Sequence, residues 1–360
     1  MKSEIPTPTI HRPEACVLRA LLARQETIIF GVLVLEILLF SAIGTNFLAP
    51  DNIRNIARHS VEIGLLALVM TPIILTGGID LSVGSMMGLC AVVFGMLWGE
   101  AHWPPWLAGC AAVTLGAAGG AMNAALITRL RMPPLIVTLG TFSLFRGLAE
   151  ALTGGSKSFT DFPDSFLSLG NSLACGVPVQ AWVLVGVFAI VWGLVHRTTA
   201  GRAFRAIGFA PEGARYAGIP VGQRIALAYT LAGMVAGLAA VIFISRVGEA
   251  RANAGTGYEL AAITAVVLGG TSIFGGTGSV YGTLLGVAAV AVLSNGLSRI
   301  LSISDISREL SGMLTGALLL VALAGGALTK AWSERASRSK PANPIKPEPA
   351  ADTEQPPSNR

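Results

Sequence analysis

The chain has 360 residues, of which 52% are hydrophobic and only 12% are charged, and its mean hydropathy is +0.66. Soluble domains carry roughly 25% charged residues, so this composition excludes an ordinary soluble protein and predicts a polytopic membrane protein. The net charge of +5 does not indicate nucleic-acid binding, because the basic residues cluster beside the apolar segments, as they do in membrane proteins.

Ten apolar segments are candidates for membrane spans, each of which needs about 20 residues as a helix. In chain order they are 27–45, 60–76, 82–99, 105–127, 134–153, 179–196, 225–246, 260–270, 280–300 and 309–328. The eighth is short and is predicted to be a half-helix, so a count of eight or nine spans stays open. The predicted fold class is all-α: a polytopic membrane protein of about ten transmembrane helices, some of them broken.

Three regions follow from this pattern. Residues 1–26 are predicted to form a cytoplasmic N-terminal segment, followed by a transmembrane domain over 27–328. The first apolar run is interpreted as an uncleaved span, since no convincing cleavage site follows it. Residues 329–360 are rich in Pro, Ser, Ala and charge, which predicts a disordered cytoplasmic tail.

Basic residues are concentrated in one set of loops, which predicts the orientation. The loop at 197–224 carries five arginines against one acid, Glu212, whereas 154–178 carries one lysine against two acids. Because cytoplasmic loops have an excess of Lys and Arg, 197–224 and both termini are predicted to be cytoplasmic. Arg54 and Arg58 fall on the side that is predicted not to be cytoplasmic, and they are assigned to a short interfacial helix.

Glycine recurs every fourth residue in several spans. The pairs and triplets are Gly84/Gly88, Gly116/Gly120, Gly233/Gly237, Gly278/Gly282/Gly286 and Gly312/Gly316. This spacing is typical of helices that pack backbone to backbone. The segments LTGGIDLSVGSMMGL (75–89) and LGGTSIFGGTGSVYGTLLG (268–286) also resemble each other, and such Gly-interrupted pairs often mark inverted repeats that meet at a substrate path.

Asp80 stands within an apolar run, two residues after the Gly77–Gly78 break. It could accept the backbone N–H of Ser82 or Val83 as a helix N-cap, or it could line a polar path, and the two roles are compatible. A catalytic role is disfavoured, because no Ser–His pair or metal-spaced set accompanies Asp80.

Other polar residues within the spans suit hydrogen bonding to a neutral polyhydroxylated solute, although some must bond between helices instead. The candidate path residues are Asp80, Ser82, Asn123, Thr138, Thr141 and Asn295.

The sequence predicts no catalytic set, no metal site and no cofactor. The four cysteines are Cys16, Cys90, Cys110 and Cys175; they have no metal-ligand spacing, and Cys90 and Cys110 are interpreted as packing residues. No GxxxxGK[ST] motif is present, and GGSKS at 154–158 lacks the required glycine spacing. If ATP drives this protein, another chain hydrolyses it.

The stretch ILTGGIDLSVGS closely resembles the signature of ribose-type sugar permeases, within the branched-chain amino acid/ribose-like binding-protein-dependent permease family. The likeness continues through NAALITRLRMPPLIVTLGTFSLFRGLA (123–149), GRAFRAIG and AGIPVGQR (within 201–224), GYELAAITAVVLGGTSIFGGTGSVYGT (257–283) and SNGL (294–297). Together these motifs cover most of residues 46–325. Family members usually have Asn-Pro where this chain has Ala210-Pro211, and often an acid at the position of Ala261.

The resemblance implies the permease subunit of a bacterial ABC importer, which translocates a sugar or sugar-like solute across the inner membrane. It implies three kinds of partner: a second permease subunit, two ATP-binding subunits and a periplasmic sugar-binding protein. It also implies that 201–224 couples the permease to the ATPase. Two alternatives are an ion-coupled secondary transporter, with Asp80 or Glu150 carrying a proton, and an intramembrane enzyme.

Within the segment to which the resemblance assigns coupling, the residues predict a short helix at 211–217. Pro211 suits the first helical position and Glu212 suits the first turn. This helix would present Glu212, Arg215 and Tyr216 to a partner, while Ala214 and Ala217 would allow close approach. The alternative interpretation is that the arginines of this loop only fix the topology.

Overall fold

The computed structural model describes residues 25–44 and 46–303, with positions 313 and 317, and the chain is almost entirely helical there. The helices are α1 (Gln25–Ile43), α2 (Pro50–Leu75), α3 (Val83–Gly99), α4 (Pro105–Thr128), α5 (Pro134–Thr153), α6 (Asp164–Asn171), α7 (Val179–Trp192, extended by a π-helical turn, Gly193–Arg197), α8 (Thr199–Phe209), α9 (Pro211–Tyr216), α10 (Val221–Val247), α11 (Tyr258–Leu268) and α12 (Val280–Ile303). A two-stranded hairpin pairs β1 (Leu173–Ala174) with β2 (Val177–Pro178).

The all-α polytopic prediction is confirmed. Within the described residues, seven helices are long and apolar enough to cross a membrane, and α3 and α11 are shorter apolar helices. These nine correspond to the first nine predicted spans, and the 11-residue α11 is the expected half-helix. The predicted span at 309–328 and the tail at 329–360 lie outside the described residues, apart from positions 313 and 317.

The second span begins ten residues earlier than predicted. Proline at the first position starts α2 at Pro50, and the helix has 26 residues, about 39 Å, which exceeds the roughly 30 Å of hydrocarbon. Arg54 and Arg58 therefore lie in the first turns of α2 itself, not on a separate helix. Arg58 donates a hydrogen bond of 3.0 Å to the carbonyl oxygen of Asn171, at the end of α6.

Glycines bring α4 and α10 into the most extensive helix–helix contact of the fold. Gly116 and Gly120 lie against Gly233 and Gly237, so closely that a Cβ atom at any of the four would overlap backbone atoms of the other helix. Gly282 and Gly286 of α12 approach the C-terminal end of α11 in the same way. Close packing at these spacings is confirmed, while Gly312 and Gly316 lie outside the described residues.

The central helices α2 and α10 run antiparallel and share a buried ion pair. The Nε atom of Arg246, near the end of α10, donates to a carboxylate oxygen of Glu62 in α2 at 2.7 Å. Glu62 is fully buried, and the guanidinium also lies 3.3 Å from Nδ1 of His59. Removing one partner of such a pair leaves a buried charge, so this contact fixes the relative position of α2 and α10.

Two units share one architecture: a long buried helix, an irregular loop and a short helix. They are α2 with loop 76–82 and α3, and α10 with loop 248–257 and α11. Because α2 and α10 are antiparallel, the two units run in opposite directions. The N-terminal ends of α3 and α11 contact each other, since Gly84 lies against the carbonyl oxygen of Gly255 and the carboxylate of Glu259.

This arrangement corrects the inverted repeat that the similarity of segments 75–89 and 268–286 suggested. The segments 75–89 and 268–286 do meet, through a 3.0 Å hydrogen bond from the N–H of Gly276 to the carbonyl of Leu75. Their breaks therefore lie at the same end of the bundle, whereas an inverted repeat would place equivalent breaks at opposite ends. The pair that runs in opposite directions is 50–99 with 221–268.

Two smaller features differ from the sequence interpretation. Cys90 is buried in the core as expected, but Cys110 is exposed on the surface of α4. The segment 154–178 contains α6 and the β-hairpin, which were not predicted. The side of α6 that carries Gly170 packs against Ser245 and Arg246 at the end of α10.

Candidate functional site

The break between α2 and α3 brings several polar groups into the protein interior. Pro72 lies inside the last turns of α2, and the helix ends at Leu75. Gly77 has φ +80°, a left-handed conformation that glycine adopts without strain. The N–H of Gly78 then returns to the carbonyl of Ile73 at 3.1 Å, which closes the turn and directs the chain toward Asp80.

Asp80 is 2% exposed and organises the turn before α3. One of its carboxylate oxygens accepts the backbone N–H of Ser82 at 2.8 Å and the Ser82 hydroxyl at 2.6 Å. The bond to the Ser82 N–H is the one that the sequence predicted. The N-cap position itself, however, is held by Ser82, so Asp80 makes an Asx-type turn two residues before the cap.

Two neighbouring helices hold this turn in place. Asn123 of α4 donates from Nδ2 to the Ser82 hydroxyl oxygen at 2.8 Å. Thr138 of α5 donates from Oγ1 to the carbonyl of Ile79 at 3.2 Å. These polar groups are buried, and Oδ1 of Asn123 has no hydrogen-bond partner among the described residues.

The six candidate path residues do not form one site. Hydrogen bonds join Asp80, Ser82 and Asn123, and Thr138 bonds to the Ile79 carbonyl of the same turn; we call these four residues the Asp80 network. Thr141 is buried one turn further along α5, where its hydroxyl bonds to Val137 of its own helix. Asn295 lies elsewhere, on α12, and accepts a 3.1 Å hydrogen bond from Asn52 at the start of α2.

The short helix predicted at 211–217 is present as α9, at Pro211–Tyr216. Glu212 and Arg215 form an exposed ion pair of 2.7 Å, and Tyr216 is 91% exposed. The expectation for Ala214 was wrong: it is buried in a cluster of its own chain with Ile207 and Val221, so it is not available to a partner.

Two further aromatic side chains extend the exposed surface of α9. Phe209, at the end of α8, is 70% exposed, and Phe274, in the loop between α11 and α12, is 82% exposed. The ring of Phe209 lies against Gly276, close to Phe274 in the same loop. We call Phe209, Glu212, Arg215, Tyr216 and Phe274 the candidate coupling surface.

The candidate coupling surface is joined to the break between α2 and α3 by direct backbone contact. Gly208 of α8 packs against the carbonyl oxygen of Leu75 and the N–H of Gly276, and a Cβ there would overlap both. The same Leu75 carbonyl accepts the N–H of Gly276. Leu75 is the last residue of α2, so α8 contacts the break that leads to the Asp80 network.

Sequence reasoning missed Phe209, Phe274 and the Glu62–Arg246 pair. Phe274 did give a signal, because it is a lone aromatic residue in a Gly-rich break on the side predicted to be cytoplasmic. The ion pair gave none, since its partners are 184 positions apart.

A family model described as branched-chain amino acid transport system / permease component matches residues 52–323. Similar proteins include the autoinducer 2 import system permease protein LsrD of Escherichia coli and of Shigella flexneri. Each is 37% identical over 305 residues, which cover 83% of this chain and 91% of the relative. The LsrD protein of Photorhabdus luminescens is 36% identical over 309 residues, with 84% and 91% coverage. No solved structure is a significant match to the chain.

Proposed function

The chain belongs to the branched-chain amino acid transport system / permease component family, and from this membership we propose that it passes a small, neutral, sugar-like solute inward. It is a permease subunit of an ABC importer and a transport component, not an enzyme. It is a multi-pass protein of the inner membrane, and its family works with ATPase subunits and a solute-binding protein. The observation that carries the solute class is the likeness, over more than four-fifths of the chain, to permeases named for autoinducer 2 import.

The proposed assembly contains this chain, a second permease subunit, two ATP-binding subunits and a periplasmic sugar-binding protein. Both termini and the loop 197–224 face the cytoplasm. This orientation is supported by the five arginines of the loop, and it places the segment 154–178 on the periplasmic side of the membrane.

The Asp80 network holds the bend between α2 and α3 during transport. Asp80, Ser82 and Asn123 are joined by hydrogen bonds, and Thr138 bonds to the neighbouring Ile79 carbonyl, so in this conformation these buried side chains position the start of α3. The candidate coupling surface receives the movement of the ATPase. Gly208 and Leu75 then transmit that movement to the bend through backbone atoms in van der Waals contact.

The proposed solute class is tested by co-purifying the chain with the products of its neighbouring genes and screening solutes for stimulated ATP hydrolysis. Autoinducer 2 and neutral pentoses and hexoses form the panel, with amino acids as the contrasting class. Stimulation by a sugar-like solute supports the proposal. Stimulation by branched-chain amino acids alone would overturn the solute class while leaving the family membership intact.

Substituting both Glu212 and Arg215 with alanine is expected to lower uptake at least several-fold while the protein inserts normally. Four of the five arginines of the loop remain, which is enough positive charge to keep the predicted orientation. Without the coupling interaction, the importer either fails to retain its ATPase on purification or hydrolyses ATP without moving solute. The measurement is ATP-driven uptake together with ATPase co-purification.

The matched control is the double substitution of Arg54 and Asp51 with alanine, because these residues form an equivalent exposed i, i+3 pair at the start of α2. Normal uptake and normal ATPase retention in the Glu212/Arg215 variant would overturn the coupling role of these two residues.

A further inference from the structure

A polar cavity of about 270 Å³ lies at the outer end of α5. Its lining includes Glu150, Ser156, Ser158, Glu249, Arg251 and Asn253. The last three follow the C-terminal end of α10, whose N-terminal end adjoins α9. The 27 residues of α10 therefore separate the cavity from the candidate coupling surface, and the proposed orientation opens the cavity to the outside.

The cavity is open to solvent, and several of its exposed lining groups have no hydrogen-bond partner among the residues that the structure describes. Within the described residues, the hydroxyls of Ser156 and Ser158 and the side-chain amide of Asn253 make no hydrogen bond to the protein. The Nε atom of Arg251 is buried and has no partner in the described part of the chain. These groups offer both donors and acceptors, which is the combination that a polyhydroxylated molecule requires.

The charges of the lining are nearly balanced. Lys157 forms an ion pair with Glu100, and Arg251 lies 3.5 Å from Glu249. Glu150 is the remaining lining carboxylate and forms no ion pair with another described residue. The cavity therefore lacks the surplus of positive charge that a phosphate or carboxylate ligand needs, whereas the Glu150 carboxylate suits a hydroxyl donor.

The inner wall of the cavity is held by Arg146, one turn below Glu150 on α5. Its guanidinium donates to the carbonyl oxygen of Ala252 and reaches that of Ala254 at 3.5 Å. Gly88 of α3 makes room for both carbonyls, since a Cβ there would lie within 3.0 Å of each. The loop that carries Asn253 is thus fixed between α3 and α5, which pre-forms one side of the cavity.

We propose that this cavity is the first solute-binding site on the permease, and that it takes a small, neutral, polyhydroxylated molecule from the binding protein. The inference rests on the proposed function and names its entry site. Glu150 and the amide of Asn253 orient the solute, and Ser156 and Ser158 exchange hydrogen bonds with its hydroxyls. The volume lies just below the roughly 300–1,000 Å³ of sites for drug-sized ligands, as expected for a smaller solute.

The direct test is protection of a cysteine placed in the cavity. Ser158→Cys is made in a background where Cys16, Cys110 and Cys175 are replaced by serine, and the complete importer is labelled with a membrane-impermeant maleimide. Binding protein loaded with D-ribose, or with autoinducer 2, is expected to slow labelling at least threefold relative to unloaded binding protein. Ser165→Cys, exposed on α6 outside the cavity, is the control and should be unaffected.

A selectivity measurement separates solute contact from a defect in docking. Asn253→Leu is expected to lower uptake of D-ribose more than uptake of 2-deoxy-D-ribose, which shifts the ratio of the two rates at least threefold. Weaker docking of the binding protein would lower both rates equally. An unchanged ratio, or equal labelling of Ser158→Cys with and without a solute that the importer demonstrably transports, overturns the cavity site. Absence of transport of any sugar-like solute by the wild-type importer would instead overturn the proposed function.

Discussion

Gly233→Leu is expected to abolish accumulation of the folded protein in the membrane. A Cβ at Gly233 would overlap the carbonyl oxygen of Gly116, and it would lie 2.8–2.9 Å from backbone atoms of Gly120. These neighbours are backbone atoms of a rigid helix, so they cannot rotate away as a side chain would. Overpacking costs about 1–3 kcal/mol where side chains adjust, and we expect a loss above that range where two helices must separate.

The measurement is membrane abundance together with the melting temperature in detergent. Gly186→Leu is the matched control, since Gly186 lies within α7 and a Cβ atom at that position would have no neighbouring atom within 4 Å. The control should accumulate and melt like the wild type. Wild-type yield and melting temperature for Gly233→Leu would show that α4 and α10 do not approach each other this closely.

Asp80→Leu is expected to stop uptake even where the protein still inserts. Leucine cannot accept a hydrogen bond, so the Ser82 N–H and hydroxyl lose their buried acceptor. Each unsatisfied buried donor costs about 1–3 kcal/mol, and the bond from Asn123 to Ser82 is then no longer held in place. The start of α3 loses its fixed direction, and with it the junction between α3 and α11.

Asp80→Asn is the informative comparison for this position. Its amide oxygen can accept the same Ser82 N–H, so we expect it to retain most of the wild-type uptake. Uptake and membrane abundance are measured on the same samples for both variants. If Asn abolishes transport at normal abundance, the negative charge itself is required, and a purely positional role for Asp80 is wrong.

The positions of the helices could be predicted because an apolar run long enough to cross a membrane indicates a transmembrane helix. The half-helix α11 is recognisable by its short run, and the close approach of α4 and α10 by glycines four residues apart. The start of α2 was missed because its first turns extend beyond the hydrocarbon and are polar. The eight-residue α6 is too short to show a reliable helical periodicity of apolar residues.

The candidate site was predicted only where its contacts are local in sequence. The bond between Asp80 and Ser82 spans two residues and follows from the chemistry of an acid before a helix. The separation of Asn295 from the network depends on how α12 packs against α2, which no local pattern encodes. The burial of Ala214 was likewise hidden, since a six-residue helix has no amphipathic period to show which side faces inward.

This chain carries a solute across the membrane at the expense of ATP hydrolysed by another subunit. The most direct measurement is uptake of labelled autoinducer 2 or D-ribose into proteoliposomes that contain the complete importer with external binding protein. We expect uptake that requires ATP inside the vesicles and persists when an uncoupler removes the proton gradient. Uptake that proceeds without ATP and stops with the uncoupler would contradict it.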